Sequence, residues 1–365
     1  MNESNYKAPL RLPGGGTATG SKALVKKGGA RQLRIGRPIT TGAEKSRGIL
    51  GMMLAVFVTA TCALPAHAQN YTVDLDTPTL DKWVYPFASA GGGPRTTAPV
   101  FGAVGSSGSF DDRDGQFFVG FSMSGQVPSG QGALNYQISS ATLTLRLSFG
   151  VDGMVVYDGT YDAYTTYDPA SGSPINGDDP GRPLELYGAA YRNGLTATSV
   201  LENTPFAPTG GNATGEGVRN IYPTDLANGA RDVSNNIRDA FDSVPFAIGR
   251  VAAADLNLDG TMKGDIDVVF TLNLLNPNVV SYLQQSLDEG HVNFLSTSLH
   301  QASQGGPATR PEFDAKELGA AGVAGRLDMQ VAIVPEPNAA WLLMVGASFF
   351  ACSRKRAKLS RGMAS

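Results

Sequence analysis

The chain has 365 residues and a formal net charge of −3, from 29 Lys and Arg against 32 Asp and Glu. Fifteen of the basic residues lie before residue 48 or after residue 352. Residues 69–333, called the body below, therefore carry 14 basic and 29 acidic side chains. This negative charge argues against nucleic acid and anionic lipid as partners and for cations or neutral sugars. Both cysteines, Cys62 and Cys352, lie outside the body, which excludes a disulfide, a thiolate nucleophile and a cysteine metal site within it.

The N-terminal region predicts export. Residues 1–47 are basic, rich in Gly and Thr and without a hydrophobic period, so we expect a disordered segment, either an extended cytoplasmic n-region or the result of a start codon placed too early. Residues 48–68 combine an apolar core with Ala66-x-Ala68, the small-residue pattern of a signal-peptide cleavage site. We predict passage through the Sec machinery and cleavage by signal peptidase, with Gln69 as the mature N-terminus. A lone membrane anchor is the alternative.

The body is predicted to be mainly β. Apolar and polar residues alternate in Ala141–Phe149 and in Asp265–Leu275, the pattern of strands with one buried face. Further strands are predicted at Gln116–Phe121, Met154–Tyr157, Leu184–Tyr187, His291–Leu295 and Leu327–Val334.

Two short helices are expected among these strands. Val233–Phe241 has Asp232 as a candidate cap, and Val279–Glu289 has Asn278 near its start and Gly290 as its stop. Many short strands separated by Gly-rich loops predict an all-β fold, a β-sandwich for which we expect the jelly-roll arrangement. The predicted body is flanked by the disordered N-terminus and by a single apolar helix at the C-terminus.

One acidic loop has the spacing of a calcium site. Asp255, Asn257 and Asp259 supply oxygen ligands at positions 1, 3 and 5, with glycine at position 6, as in the opening of an EF-hand loop. Position 12 is Ile266 instead of Glu, so Asp265 at position 11 or Asp267 at position 13 would have to complete the ligand set. The sequence therefore leaves two predictions open, a calcium ion at this loop or an acidic turn with no cofactor. A second acidic run, residues 111–114, is predicted to be a solvated turn.

A row of tyrosines is a candidate glycan surface. The residues recur every three or four positions, beside aspartates, at Tyr157, Tyr161, Tyr164 and Tyr167. Aromatic faces stack on the C–H faces of sugars, while carboxylates accept hydrogen bonds from sugar hydroxyls. The alternative is that these tyrosines cover the edge of the sandwich.

No catalytic motif stands out in the body. His291 and His300 flank Ser296 and Ser298, but the sequence has neither a Gly-x-Ser-x-Gly elbow nor a His-Glu-x-x-His motif. We therefore expect a non-enzymatic protein that binds glycans weakly or not at all. The alternative is a secreted polysaccharide-active enzyme on a jelly-roll scaffold that uses an unidentified pair of carboxylates.

The C-terminal region, residues 334–365, has three parts in a fixed order. A proline-locked segment precedes an apolar run, Ala339–Cys352, and a basic cluster follows it. The flanking residues are Val334, Pro335, Glu336 and Pro337 before the run and Arg354, Lys355 and Arg356 after it. We predict a short transmembrane helix at residues 339–353 with its basic end in the cytoplasm.

This tail resembles the PEP-CTERM sorting signal. The resemblance implies an exosortase-like processing enzyme as partner, transient anchoring in the inner membrane, and a final location in the cell envelope or outside the cell, with exopolysaccharide as a possible ligand. The body is similar to extracellular DNRLRE-type β-sandwich modules at Asp81–Phe87, Ile138–Leu145 and Asp232–Ser234. That resemblance implies a sandwich architecture and glycan binding or a passive surface role.

Overall fold

The computed structural model describes residues 68–87, 95–102, 111–169, 175, 181–209, 217–301, 310–318 and 324–334. All of them belong to one compact unit, Pro65–Ser365. The strands are β1 Gln69–Leu75, β2 Leu80–Val84, β3 Thr97–Pro99, β4 Gln116–Ser122, β5 Tyr136–Leu147, β6 Tyr157–Asp158, β7 Arg182–Pro183, β8 Glu185–Tyr191, β9 Ile221–Asp225, β10 Arg231–Asp232, β11 Ala247–Ile248, β12 Ile266–Thr271, β13 His291–Thr297, β14 Glu312–Asp314 and β15 Arg326–Ile333. The α-helix found in these ranges is α1, Pro277–Glu289. The prediction of an all-β fold is confirmed.

The strands form two antiparallel sheets. Sheet 1 has the order β1-β15-β5-β14-β3, and β12 also pairs with β5. Sheet 2 has the order β10-β9-β8-β13-β4-β2, and β11 also pairs with β8. A short parallel pair, β6 and β7, lies apart from both.

The two sheets share one hydrophobic core. Leu143, Leu145 and Leu147 of β5 are fully buried, while the residues between them are partly exposed, as alternation requires. Across the core, the rings of Phe117 in sheet 2 and Phe313 in sheet 1 stack with centroids 5.9 Å apart. Each such side chain contributes about 1.5–3 kcal/mol by leaving water.

The helix α1 packs on the same core. Its buried apolar residues, Val279, Leu283 and Leu287, recur at helical spacing. The Asn276 side chain accepts a hydrogen bond from a backbone N–H of the first turn, and Gly290 ends the helix at φ 80°. The predicted helix Val279–Glu289 is therefore confirmed, with its start two residues earlier.

The predicted helix Val233–Phe241 is wrong. The segment forms successive turns, because the side chains of Asn235 and Asn236 accept hydrogen bonds from residues 112 and 113 of a distant segment. Ala240 also has a left-handed φ of 52°, which a continuing helix does not tolerate.

The acidic run at residues 111–114 is buried, so the prediction of a solvated turn is wrong. Arg113 forms an ion pair with Glu185 of β8, and both side chains are almost fully enclosed. Arg219 pairs with Asp111 and lies 3.7 Å from an Asp114 oxygen. The run is enclosed because these arginines supply positive charge where water would otherwise be needed.

The predicted strands are largely confirmed, with shifted ends. Met154–Tyr157 is the exception, since only Tyr157 lies in a strand. In Ala141–Phe149 the strand ends at Leu147, and Phe149 begins a 3-10 turn that leaves its side chain exposed. Asp265–Leu275 shortens to β12.

The first pair of the β1–β15 ladder joins the two residues that are predicted to begin and end the body. Gln69 is the first residue of β1 and pairs with Ile333, the last residue of β15. The Val334 N–H then donates to the Asn135 carbonyl at 2.8 Å. The segments predicted to be the disordered N-terminus, most of the signal peptide with Ala66, and the sorting tail from Pro335 onward lie outside the described residues. Among the residues that are described, no helix has the length and apolar character needed to cross a membrane.

Candidate functional site

A groove of about 540 Å³ lies on the outer face of sheet 2. Its floor comes from the neighbouring strands β2, β4 and β13, and one wall comes from the segment 197–203. Side chains or backbone that line it include Leu80, Gly120, His291 and Asn293 from the strands and Val200 and Glu202 from the wall.

The wall is held by a second, smaller hydrophobic cluster. Val200 and Phe206 pack on Phe118 and Leu295, which point outward from sheet 2. Next to them, the buried Lys82 ammonium donates to the Thr204 carbonyl, and burial lowers the pKa of Lys82 to about 8. The wall is therefore fixed by packing and by hydrogen bonding to β2.

The floor depends on a glycine opposite an asparagine. Gly120 and Asn293 are cross-strand partners in the β4–β13 ladder, and a Cβ on Gly120 would collide with Asn293 Oδ1. Asn293 Nδ2 donates to the Tyr191 hydroxyl at 2.7 Å and to the Ala197 carbonyl at 3.3 Å. The asparagine thus joins the floor to the wall, and the missing side chain of Gly120 leaves room for it.

A group of three carboxylates lies beside this groove. Oxygens of Asp81, Glu202 and Glu317 all lie within 4.8 Å of one another. Lys316 forms an ion pair with Glu202, and its backbone N–H donates to Asp81 Oδ2 at 2.7 Å. Burial raises the pKa of Asp81 to about 6, against the lowering effect of the Lys316 N–H bond, and the nearby Glu317 charge raises it further. No short sequence motif marks this group, since its members come from distant segments.

The residues of the predicted calcium loop have other partners. Asp259 Oδ1 accepts hydrogen bonds from the Thr261 N–H at 3.1 Å and the Thr261 hydroxyl at 2.6 Å, which lower the pKa of Asp259. Asn257 donates to the same hydroxyl, and Asp255 ends a 3-10 turn. Asp265 forms an ion pair with Arg146 at 2.8 Å. The structure thus directs Asp265 towards an arginine, and the calcium prediction for this loop stays a prediction.

The four tyrosines do not form one exposed row. Tyr167 is buried, donates to Asp162 at 2.5 Å, and packs with Tyr164 against Ile237 and Leu299. Tyr157 and Tyr161 keep partial exposure, and burial with nearby carboxylates raises the pKa of Tyr161. Tyr157 also packs against the main core, so it covers the sandwich together with Tyr164 and Tyr167. Glycan binding by these tyrosines stays a prediction.

The structure brings Ser298 and His300 together but encloses both. The Ser298 hydroxyl lies 2.7 Å from His300 Nδ1, and His300 Nε2 lies 3.3 Å from the Val156 carbonyl. With Nε2 protonated, the ring donates to the carbonyl and accepts from the hydroxyl. Burial lowers the pKa of His300 to about 4. The arrangement satisfies buried polar atoms. Ser296 and His291 lie on β13, whereas Ser298 and His300 follow its end.

Comparison with known proteins assigns neither a family nor a function to the chain. No protein-family model matches the chain, and no curated protein matches it significantly.

Proposed function

We propose that the chain is an exported, exosortase-sorted protein of the cell envelope or extracellular matrix, with a non-enzymatic body that binds glycan weakly. The observation that carries the sorting proposal is the order of the tail, from Val334–Pro337 through the apolar run to Arg354–Arg356. The start of β1 at Gln69 and the end of β15 at Ile333 support it, since these two paired residues are the predicted first and last residues of the body.

We also propose that the body is a jelly roll. Four antiparallel pairs support this arrangement: β1 with β15, β4 with β13, β5 with β12, and β8 with β9. Taken along the chain, these pairs nest as one long hairpin whose ends are the first and last strands. Its strands alternate between the two sheets as β1-β15-β5-β12 and β4-β13-β8-β9, which is the order expected for a double Greek key.

The groove on sheet 2 is the glycan-binding site that we propose for the body. Its lining mixes apolar side chains such as Leu80 and Leu201 with polar ones such as Asn203, Glu202 and His291. A sugar presents both C–H faces and hydroxyls, so a site of this mixed character suits it. The strong negative charge of the body favours neutral sugars over acidic ones.

The sorting proposal is tested by expressing the full chain in hosts with and without an exosortase. We expect mass spectrometry to find a C-terminus that lacks the segment 339–356 only where the exosortase is present. A product that retains this segment in both hosts would refute sorting.

The glycan proposal is tested by retention on immobilised exopolysaccharide from an exosortase-containing bacterium. Leu201→Ala removes a groove side chain and should reduce retention, whereas Leu275→Ala removes an exposed leucine outside the groove and should not. Equal retention of both variants would contradict the assignment to the groove. Release of shorter glycans by the wild-type chain would instead support the alternative of a polysaccharide-active enzyme.

A further inference from the structure

The edge of β2 gathers carboxylates from three separate segments. Asp81 belongs to β2, Glu202 to the groove wall, and Glu317 to the short 3-10 helix Lys316–Leu318. Their oxygens share a space in which every pair lies within 4.8 Å. Like charges at this separation repel one another, so all three carboxylates can be ionised together only with a counter-ion.

One carboxylate oxygen in this group has no partner. Asp81 is only 3% exposed, and its Oδ2 accepts the Lys316 N–H, but its Oδ1 is buried and accepts no hydrogen bond from an N–H or hydroxyl group. Buried polar atoms are nearly always satisfied, and an unsatisfied one calls for an explanation such as a bound ion or water. The same carboxyl group lies beside that of Glu317 and contributes an oxygen to the cluster.

The Lys316 ammonium supplies the positive charge in the structure. It pairs with Glu202, lies 3.9 Å from a Glu317 oxygen and donates to the Thr79 carbonyl at 3.2 Å. One ammonium does not balance three ionised carboxylates. Its long, flexible stem also allows it to leave the cluster when another cation enters.

We propose that Asp81, Glu202 and Glu317, together with the Thr79 carbonyl, form a calcium site that exchanges a divalent cation for the Lys316 ammonium. All four donors are oxygens, the ligands that a hard cation prefers. Two oxygens on opposite sides of one Ca²⁺ lie about 5 Å apart, so the observed spacing fits a single ion. Water would complete the coordination.

This inference stands apart from the proposed glycan function, although the two sites share Glu202. The side chain of Glu202 lines the groove and also belongs to the cluster. A bound cation would therefore lie at the rim of the groove, but its binding requires no glycan.

Calorimetric titration of the full-length chain with CaCl₂ tests the proposal. We expect binding that weakens about tenfold or more in Glu202→Gln and in Glu317→Gln, because calcium affinity falls with the charge of the ligand set. Lys316→Met removes the competing ammonium and should bind calcium more tightly than the wild type. If Lys316 and the carboxylates formed only a structural ion pair, Lys316→Met would bind no calcium and would only be less stable.

Asp259→Asn is the matched control, because it removes one carboxylate from the predicted loop site. We expect its calcium affinity to equal that of the wild type. Loss of binding in Asp259→Asn with normal binding in Glu202→Gln would overturn the proposal in favour of the loop. Absence of calcium binding in both the wild type and Lys316→Met would overturn it outright, and circular dichroism of each variant shows that folding is intact.

Discussion

Removing Arg219 should reveal how much the buried ion network stabilises the fold. The side chain is fully enclosed, pairs with Asp111, and donates to the carbonyls of Arg113 and Asp114 at 2.9 and 2.8 Å. Arg219→Met keeps most of the volume but leaves a buried carboxylate without its counter-charge. We expect it to lower the free energy of unfolding by about 3–5 kcal/mol, the usual cost of breaking a buried pair from one side.

A second substitution separates the effect of leaving Asp111 without its counter-charge from the effect of changed packing at position 219. Asp111→Asn, added to Arg219→Met, removes the carboxylate that the single variant strands, so the double variant should lose less stability than the two single losses together. Urea unfolding of the full-length chain at pH 7 measures each value.

Arg326→Met is the matched control for Arg219→Met. Arg326 pairs with Asp328 at 2.9 Å, but both side chains are substantially exposed, so water screens the interaction. We expect no measurable change in the unfolding midpoint. The reasoning is refuted if Arg219→Met is no less stable than Arg326→Met, or if the Arg219 and Asp111 effects simply add.

Three further predictions concern pH and packing. Burial raises the pKa of Asp114 from 3.8 to about 7, so its stabilising contribution is complete below pH 3.8 and is lost as pH rises through 7. Urea unfolding between pH 4 and 8 should show that the free energy of unfolding falls less steeply with pH in Asp114→Asn than in the wild type, by up to about 1.4 kcal/mol per pH unit. Burial lowers the pKa of His300 from 6.5 to about 4, so its contribution to stability is present above pH 6.5 and is lost as pH falls through 4. His300→Gln should therefore lose less stability than the wild type at acidic pH in the same assay. An unchanged dependence of stability on pH would contradict this expectation. A Cβ on Gly264 would lie 2.5 Å from the Phe149 carbonyl oxygen, so Gly264→Ala should lower the free energy of unfolding by about 1–3 kcal/mol. Gly150→Ala is the control, because a Cβ there meets nothing closer than 4.0 Å. Equal melting temperatures of the two variants would count against this reasoning.

The main strands could be predicted because one face of each is buried. In β5 the leucines at 143, 145 and 147 alternate with partly exposed residues, and the pattern is local to the sequence. The sequence does not predict β1, because this strand lacks such a pattern. Only Val73 of its seven residues is buried, and the strand exists because its backbone pairs with β15 at the other end of the chain.

The wrong helix and the wrong turn have one common cause. Residues 233–241 and residues 111–114 each have the composition of a solvated local element, but they bind each other through Asn235, Asn236 and Arg113. Arg238 adds an ion pair with Asp112 at 3.0 Å. Such long-range polar pairing overrides local propensity, and neither segment alone indicates its partner.

The candidate sites show the same limit. The calcium-like loop was found because its oxygens are regularly spaced within six residues, whereas Asp81, Glu202 and Glu317 meet only after the sheets form. The groove floor likewise requires Gly120 and Asn293 to become cross-strand partners. Regular spacing in the sequence reveals a site whose ligands lie on one loop. A site whose residues come from several segments can be recognised only in the folded structure.

The pairing of Gln69 with Ile333 has a mechanical consequence. The first and last residues of the two-strand ladder lie side by side, so a pull between them acts at the same end of an antiparallel pair. Hydrogen bonds loaded in this way open one pair after another, starting at this end, instead of sharing the force. A chain held at both ends would therefore peel β1 from β15 at low force, whereas cutting either tether would leave the ladder unloaded.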